Sequence, residues 1–71
     1  MKIRTFDLEI YALSAIQQAV QDYAHIANIR VLPLKNQVKC IFTKCRAQEQ
    51  LTVQEFSNYV IDLMASQKGT V

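Results

Sequence analysis

The sequence predicts an α+β fold with the element order β-α-β-β-α: a three-stranded, mostly antiparallel sheet with both helices on one face. Three observations predict it. Apolar and polar residues alternate near the N-terminus, an apolar repeat of threes and fours follows from Leu13, and two runs rich in branched and aromatic residues precede a well-marked final helix.

Residues 2–11, KIRTFDLEIY, read as the first strand. Phe6, Leu8 and Ile10 alternate with Asp7, Glu9 and Tyr11, the period of a half-buried strand. Ile3 falls out of that phase, which predicts a frayed or bulged start.

The period then changes. Leu13, Ile16, Val20, Tyr23 and Ala27 lie on one helical stripe, and Ala12, Ala15, Ala19 and Ala24 add helix propensity. Ser14 and Gln17 have the spacing of a capping box, so the helix starts at either Ala12 or Ala15, and Asn28 suits a left-handed C-terminal position.

IRVLPLK and VKCIFTK read as two strands joined around Asn36 and Gln37. The connection has no glycine, which predicts a turn longer than the tightest two-residue type. Pro33 cannot donate to a ladder and assigns its strand to an edge. The proline-free run around residues 40–44 then takes the centre, between the first and second strands.

RAQEQ is a polar connector before the last helix, residues 51–69. Thr52 and Glu55 fit a capping box, and Leu51 with Phe56 fit a hydrophobic staple. Val53, Phe56, Val60, Leu63 and Gln67 trace a stripe broadened by Tyr59 and Met64. Lys68 suits the negative helix end, and Gly69 supplies a left-handed stop.

The 71 residues suffice for one domain, 1–71, with one core. A chain of this size buries roughly 60% of the surface its unfolded form exposes. Its expected stability is on the order of 3–5 kcal/mol without further help, so a partner or self-association is a natural supplement. An apolar fraction of 51% excludes a disordered chain, and a net charge of +2 is too small to imply nucleic-acid binding by itself. With no secretory leader pattern and no long apolar run, the expectation is a soluble cytoplasmic protein, off the membrane, with reduced thiols.

No group of residues nominates a reaction. His25 is the single histidine and has no nucleophile or second group beside it in sequence. Cys40 alternates with Val38 and Phe42 and reads as a buried apolar residue. Cys45, between Lys44 and Arg46, is the candidate for a reactive thiol. Cys40 and Cys45 lack the second pair that a zinc site needs. The carboxylates are scattered, and Gly69 is the one glycine, which excludes a phosphate loop. The expectation is a non-enzyme with no cofactor or metal.

The cations are more informative. Lys2, Arg4, Arg30, Lys35, Lys39, Lys44 and Arg46 all fall in or beside strands. Arg30 and Lys39 have the phase opposite to Val31 and Cys40, so the helix-free side of the sheet should be basic, with Tyr11 its one aromatic. Leu32, Leu34 and Ile41 share that phase, although a sheet covered on one side should alternate apolar-in and polar-out. An apolar, basic outer face calls for a second copy, a partner, or an added peptide strand. Arg30, Leu32, Leu34, Lys39 and Ile41 are therefore the candidate partner-binding residues. A homodimer burying this face and a nucleic acid on its cations are the alternatives.

The β-α-β-β-α layout, the alanine-rich ALSAIQQAVQDYA and a late helix with an F-x-N segment resemble HxsD, the small protein of the His-Xaa-Ser peptide-maturation system. The late EFSNYVIDLMAS keeps Phe56 and Asn58 of that family's motif, while Asp62 is displaced and no Arg follows. The resemblance implies a non-catalytic accessory protein. Its partners would be a radical S-adenosylmethionine enzyme or a ribosomally made precursor peptide. The enzyme would carry its iron–sulfur cluster in its own chain.

Overall fold

A central antiparallel strand organises the chain. The computed structural model describes the backbone of residues 1–69 and the side chains of residues 1–66. In order, the elements are β1 (Lys2–Asp7), α1 (Leu13–Asp22), β2 (Asn28–Pro33), β3 (Gln37–Thr43) and α2 (Glu49–Gly69). The sheet order is β1-β3-β2, antiparallel throughout, and both helices pack on one face. The proline-free strand thus lies in the middle and Pro33 on an edge.

Residues directly opposite one another share a face of the sheet. Phe6 stands opposite Val38, Arg4 opposite Cys40, and Val31 opposite the same Cys40 from the other side. Val38, Cys40 and Phe42 are completely buried. They form one core with Phe6, with Ala15, Ile16 and Ala19 of α1, and with Phe56 and Val60 of α2. Phe56 is the hub: its ring lies 5.1 Å from Phe42 and 5.4 Å from Tyr23, nearly perpendicular to both, and 5.9 Å from Phe6. Edge-to-face packing of this kind adds about 0.5–1.5 kcal/mol per pair beyond area burial.

The helices meet through a polar clasp as well. Tyr59 of α2 donates its hydroxyl hydrogen to Asp22 of α1 at 2.5 Å, and Gln18 Nε2 donates to the other oxygen of that carboxylate at 2.9 Å. The bond to Asp22, then burial, push the Tyr59 hydroxyl pKa upward.

Element ends differ from the sequence expectations where side chains compete for the backbone. The first strand stops at Asp7 instead of running to Tyr11. The Asp7 carbonyl accepts from the N–H groups of Ile10 and Tyr11, and its carboxylate accepts from Glu9 N–H at 2.9 Å. Such an Asx turn ends the ladder, so Ile10 is exposed and Tyr11 folds back against Phe6. Ile3 is neither frayed nor bulged; it pairs with Ile41 within β1.

Helix α1 begins at Leu13 behind an extended Ala12 that makes no side-chain cap bond, so Ser14 lies inside the helix and no capping box forms. Its buried face is centred on Ala15, Ile16 and Ala19, whose small alanines suit a close approach of α1 to α2, and Leu13 stays exposed. The helix closes at Tyr23. Asn28 is not its terminal residue; it opens β2 opposite Thr43.

Helix α2 starts at Glu49, ahead of the expected Leu51. An acidic first-turn residue suits the positive helix end, and this earlier start moves Thr52 into the first turn. Its N–H and its hydroxyl both donate to the Gln48 carbonyl at 2.9 Å, so Thr52 and Glu55 form no capping box, and Leu51 is exposed. The buried stripe is Thr52, Phe56 and Val60, flanked by Val53, Tyr59, Leu63 and Met64. The helix runs to Gly69, where the stop was expected, and the side chains of Gln67 and Lys68 lie outside the described residues.

Between β3 and α2 the chain turns through Lys44, whose φ of 53° is left-handed. For a non-glycine residue this costs about 1–2 kcal/mol. The turn lets Cys45 pack beside the core and Arg46 N–H donate to the Ile26 carbonyl at 2.9 Å.

Candidate interaction surface

The register writes out the uncovered side of the sheet row by row. Ile3, Ile41 and Arg30 form one cross-strand row, and Thr5, Lys39 and Leu32 form the next. Leu34 N–H donates to the Gln37 carbonyl at 2.8 Å and continues the pairing towards Asp7. All five residues expected to contact a partner, Arg30, Leu32, Leu34, Lys39 and Ile41, therefore share one surface. Leu32 retains 37% of its surface exposed, Leu34 49% and Ile3 49%.

Ile3 is the residue that sequence reasoning missed. Its signal was the second alternation, Ile3, Thr5, Asp7, which takes meaning only once β3 fixes which phase faces outward.

Several cations are elsewhere. Lys2 and Arg4 have the helix-side phase, opposite Phe42 and Cys40, and so do not belong to the open face. Arg4 lies against aromatic rings, with its guanidinium carbon 4.9 Å from the Phe6 centroid and 6.0 Å from that of Tyr11, and Nη2 donates to Tyr11 Oη at 3.3 Å. Tyr11, expected on the outer face, packs on the core side with Phe6 at 5.0 Å. All six aromatic residues in fact belong to the core or pack against it. The open face is thus aliphatic and cationic without a stacking platform, and Arg30 and Lys39 are its strand cations.

A second concave feature borders the sheet. A groove of about 540 Å³ runs between β1 and α2, lined by Lys2, Ile3 and Arg4 on one side and by Val53, Gln54 and Asn58 among others on the opposite side. Asn58 is exposed at this groove, whereas Phe56 is buried in the core. The two residues that carry the resemblance thus have separate positions, one in the core and one at the surface.

The reactive groups are dispersed. Burial pushes the Cys40 thiol up to about 11, so it stays protonated and inert at neutral pH. Cys45 is half-buried, and His25 is exposed near Lys44 and Arg46 at a small cleft. Among the described residues, no cluster of three His, Cys, Asp or Glu side chains is arranged to hold a metal ion. No helix is long and apolar enough to cross a membrane, again among the described residues.

Compared with protein-family models, curated proteins and solved structures, the chain matches none of them.

Proposed function

We propose that this chain is a non-catalytic binding protein whose open sheet face docks on a partner protein presenting an aliphatic patch with acidic groups at its rim. One observation carries the reading. The rows Ile3–Ile41–Arg30 and Thr5–Lys39–Leu32 leave aliphatic side chains on a face that no element covers among the described residues. Antiparallel sheets with a solvated face put polar residues there. Aliphatics on such a face supply desolvated area, and Arg30 and Lys39 supply orientation and selection for negative charge.

The same charges argue against the alternatives. A symmetric homodimer through this face brings two copies of Arg30 and Lys39 together, a like-charge arrangement that disfavours association. Single-strand nucleic-acid binding calls for aromatic side chains on which bases stack, and the aromatics here belong to the core side. The resemblance to HxsD supports the same class: an accessory protein that assists radical S-adenosylmethionine maturation of a ribosomal peptide.

The test is titration of the purified protein against the products of the neighbouring genes, with isothermal calorimetry as readout. The expected result is saturable binding that Leu32→Asp and Ile41→Lys each abolish while helical circular dichroism is unchanged. Full binding by both variants would refute the face assignment. Light scattering is the companion measurement: a concentration-independent monomer is expected, and a stable dimer lost in Ile41→Lys would replace the partner reading with self-association.

A further inference from the structure

A different surface, the free edge of β1, leaves backbone groups unpaired. Backbone parity defines it. Leu8 N–H donates to the Asn36 carbonyl at 3.0 Å, continuing the register in which Asp7 faces Gln37. Hydrogen-bonded pairs alternate along an antiparallel ladder, so Phe6, Arg4 and Lys2 direct their backbone groups at β3. Those of Ile3, Thr5 and Asp7 point away from the sheet. The Asp7 carbonyl is taken by the turn that follows, which leaves both groups of Ile3 and Thr5 and the Asp7 N–H at the edge.

The opposite edge is blunted at its Pro33 end. The bond from Leu34 to Gln37 gives Leu34, Leu32 and Arg30 the parity that faces β3, so Ile29, Val31 and Pro33 face outward. Pro33 has no N–H to offer there, which is how natural sheets protect an edge. No proline guards β1.

What flanks the β1 edge selects its occupant. Lys2 and Arg4 project to the helix side, into the groove whose far wall is α2. Arg4 is half-buried and held against Phe6 and Tyr11. Among the described residues its guanidinium makes one hydrogen bond, to Tyr11 Oη, and no ion pair. A guanidinium has five N–H donors, so the clamp fixes its position and leaves donors for a carboxylate. Among the described residues no carboxylate lines the groove, Val53 supplies an apolar wall, and the amides of Gln54 and Asn58 are one helical turn apart along it.

We propose that an extended acidic peptide segment adds antiparallel to β1 and lies along this groove. Main-chain bonds to Ile3 and Thr5 supply affinity, and alternate side chains supply specificity. The residues opposite Arg4 and Lys2 share their side of the sheet and carry carboxylates. The residue between them, opposite Ile3, turns to the outer face and is aliphatic. The recognised pattern is acidic–aliphatic–acidic. This inference goes beyond the open-face reading and does not depend on it.

Fluorescence anisotropy with a labelled peptide of about ten residues centred on Glu-Val-Glu tests it. The wild-type protein is expected to bind it saturably, and a Lys-Val-Lys peptide at least about tenfold more weakly. N-methylation of the central Val amide, which faces β1, abolishes binding, whereas N-methylation of either Glu amide leaves it. Thr5→Pro removes an outward N–H without touching the ladder to β3. It and Arg4→Gln each weaken binding at least about tenfold, and Leu32→Asp, on the sheet face, leaves it unchanged. The site is overturned by absence of saturable Glu-Val-Glu binding, by equal binding of the Lys peptide, or by equal effects of methylation at Val and Glu. Loss of binding in Leu32→Asp with retention in folded Thr5→Pro also overturns it, by moving the peptide onto the face.

Discussion

The two sides of β3 are made by neighbouring residues of one strand. Val38, Cys40 and Phe42 are fully buried, whereas Lys39 and Ile41, a single residue away, are half-exposed. The inner side is closed by two helices and three interlocked phenylalanines. The outer side has comparable aliphatic character, with Ile3, Leu32, Leu34 and Ile41, and no cover among the described residues. Apolar side chains thus stabilise this fold only where an element is available to bury them. On the other side of the same strand, equally apolar residues are free for association.

Breaking the inner side should have the largest effect. Phe56→Ala removes the ring that joins both helices to the sheet, and such core truncations cost about 3–5 kcal/mol. That is comparable to the whole stability expected of a domain this small, on the order of 3–5 kcal/mol. The variant should show no cooperative unfolding transition by circular dichroism at 25 °C.

Alkaline pH probes the same side without a mutation. Cys40 is raised by burial to about 11 from 9.0, Tyr23 is raised by burial and then by the nearby Glu55 charge, and Tyr59 by its bond to Asp22. A group whose folded pKa is raised binds its proton more tightly in the native state. Its stabilisation is present below the unfolded pKa and disappears as pH rises through the folded one. Urea midpoints should therefore hold steady up to about pH 9 and fall between about pH 9 and 11. Cys40→Ala should flatten the beginning of that fall; an unchanged slope there would remove Cys40 as its source.

The helix clasp ranks next. Tyr59→Phe keeps the ring and deletes the bond to Asp22, and should lower the melting temperature by a few degrees, on the order expected for one hydrogen bond in a small domain. Combined with Asp22→Asn, the loss should be less than additive, and full additivity would mean the two residues are not coupled.

Smallest of all is the outer side. Leu32→Asp sets a carboxylate directly across from Lys39, a favourable cross-strand pairing that offsets lost apolar contact. Denaturation midpoints should change stability by no more than about 0.5 kcal/mol in either direction, the range of ordinary surface substitutions. A loss of several kcal/mol would mean that this side is covered within the fold and would end the comparison.

Element type, order and the central position of β3 were legible because they follow from local pattern. Pro33 excludes its strand from the centre, alternation from Val38 to Phe42 fits a strand covered on one face, and Phe56 and Val60 keep helical spacing. The element ends were less legible. Asp7, Ser14 and Thr52 each have side chains able to bond nearby backbone in more than one way, and which bond wins depends on the packing of the segment that follows. The five expected contact residues fell on one face because phase along β2 and β3 suffices to group them. Ile3 and Tyr11 were misread: alternation was carried past the turn that begins at Asp7, which takes Tyr11 to the core side, and Ile3 stays in the ladder opposite Ile41.

Interactions between near neighbours suffice to specify an α+β chain with two amphipathic helices, one edge strand and a burial phase for β3. Tertiary structure decided where β1 ends, that Ile3 joins Ile41 on the open face, and that Arg4 is clamped by Phe6 and Tyr11 beside an unguarded edge. Those outcomes depend on register between strands far apart in the chain. A one-residue shift in register exchanges every inward side chain for an outward one, so the faces of β1 are fixed by its pairing with β3.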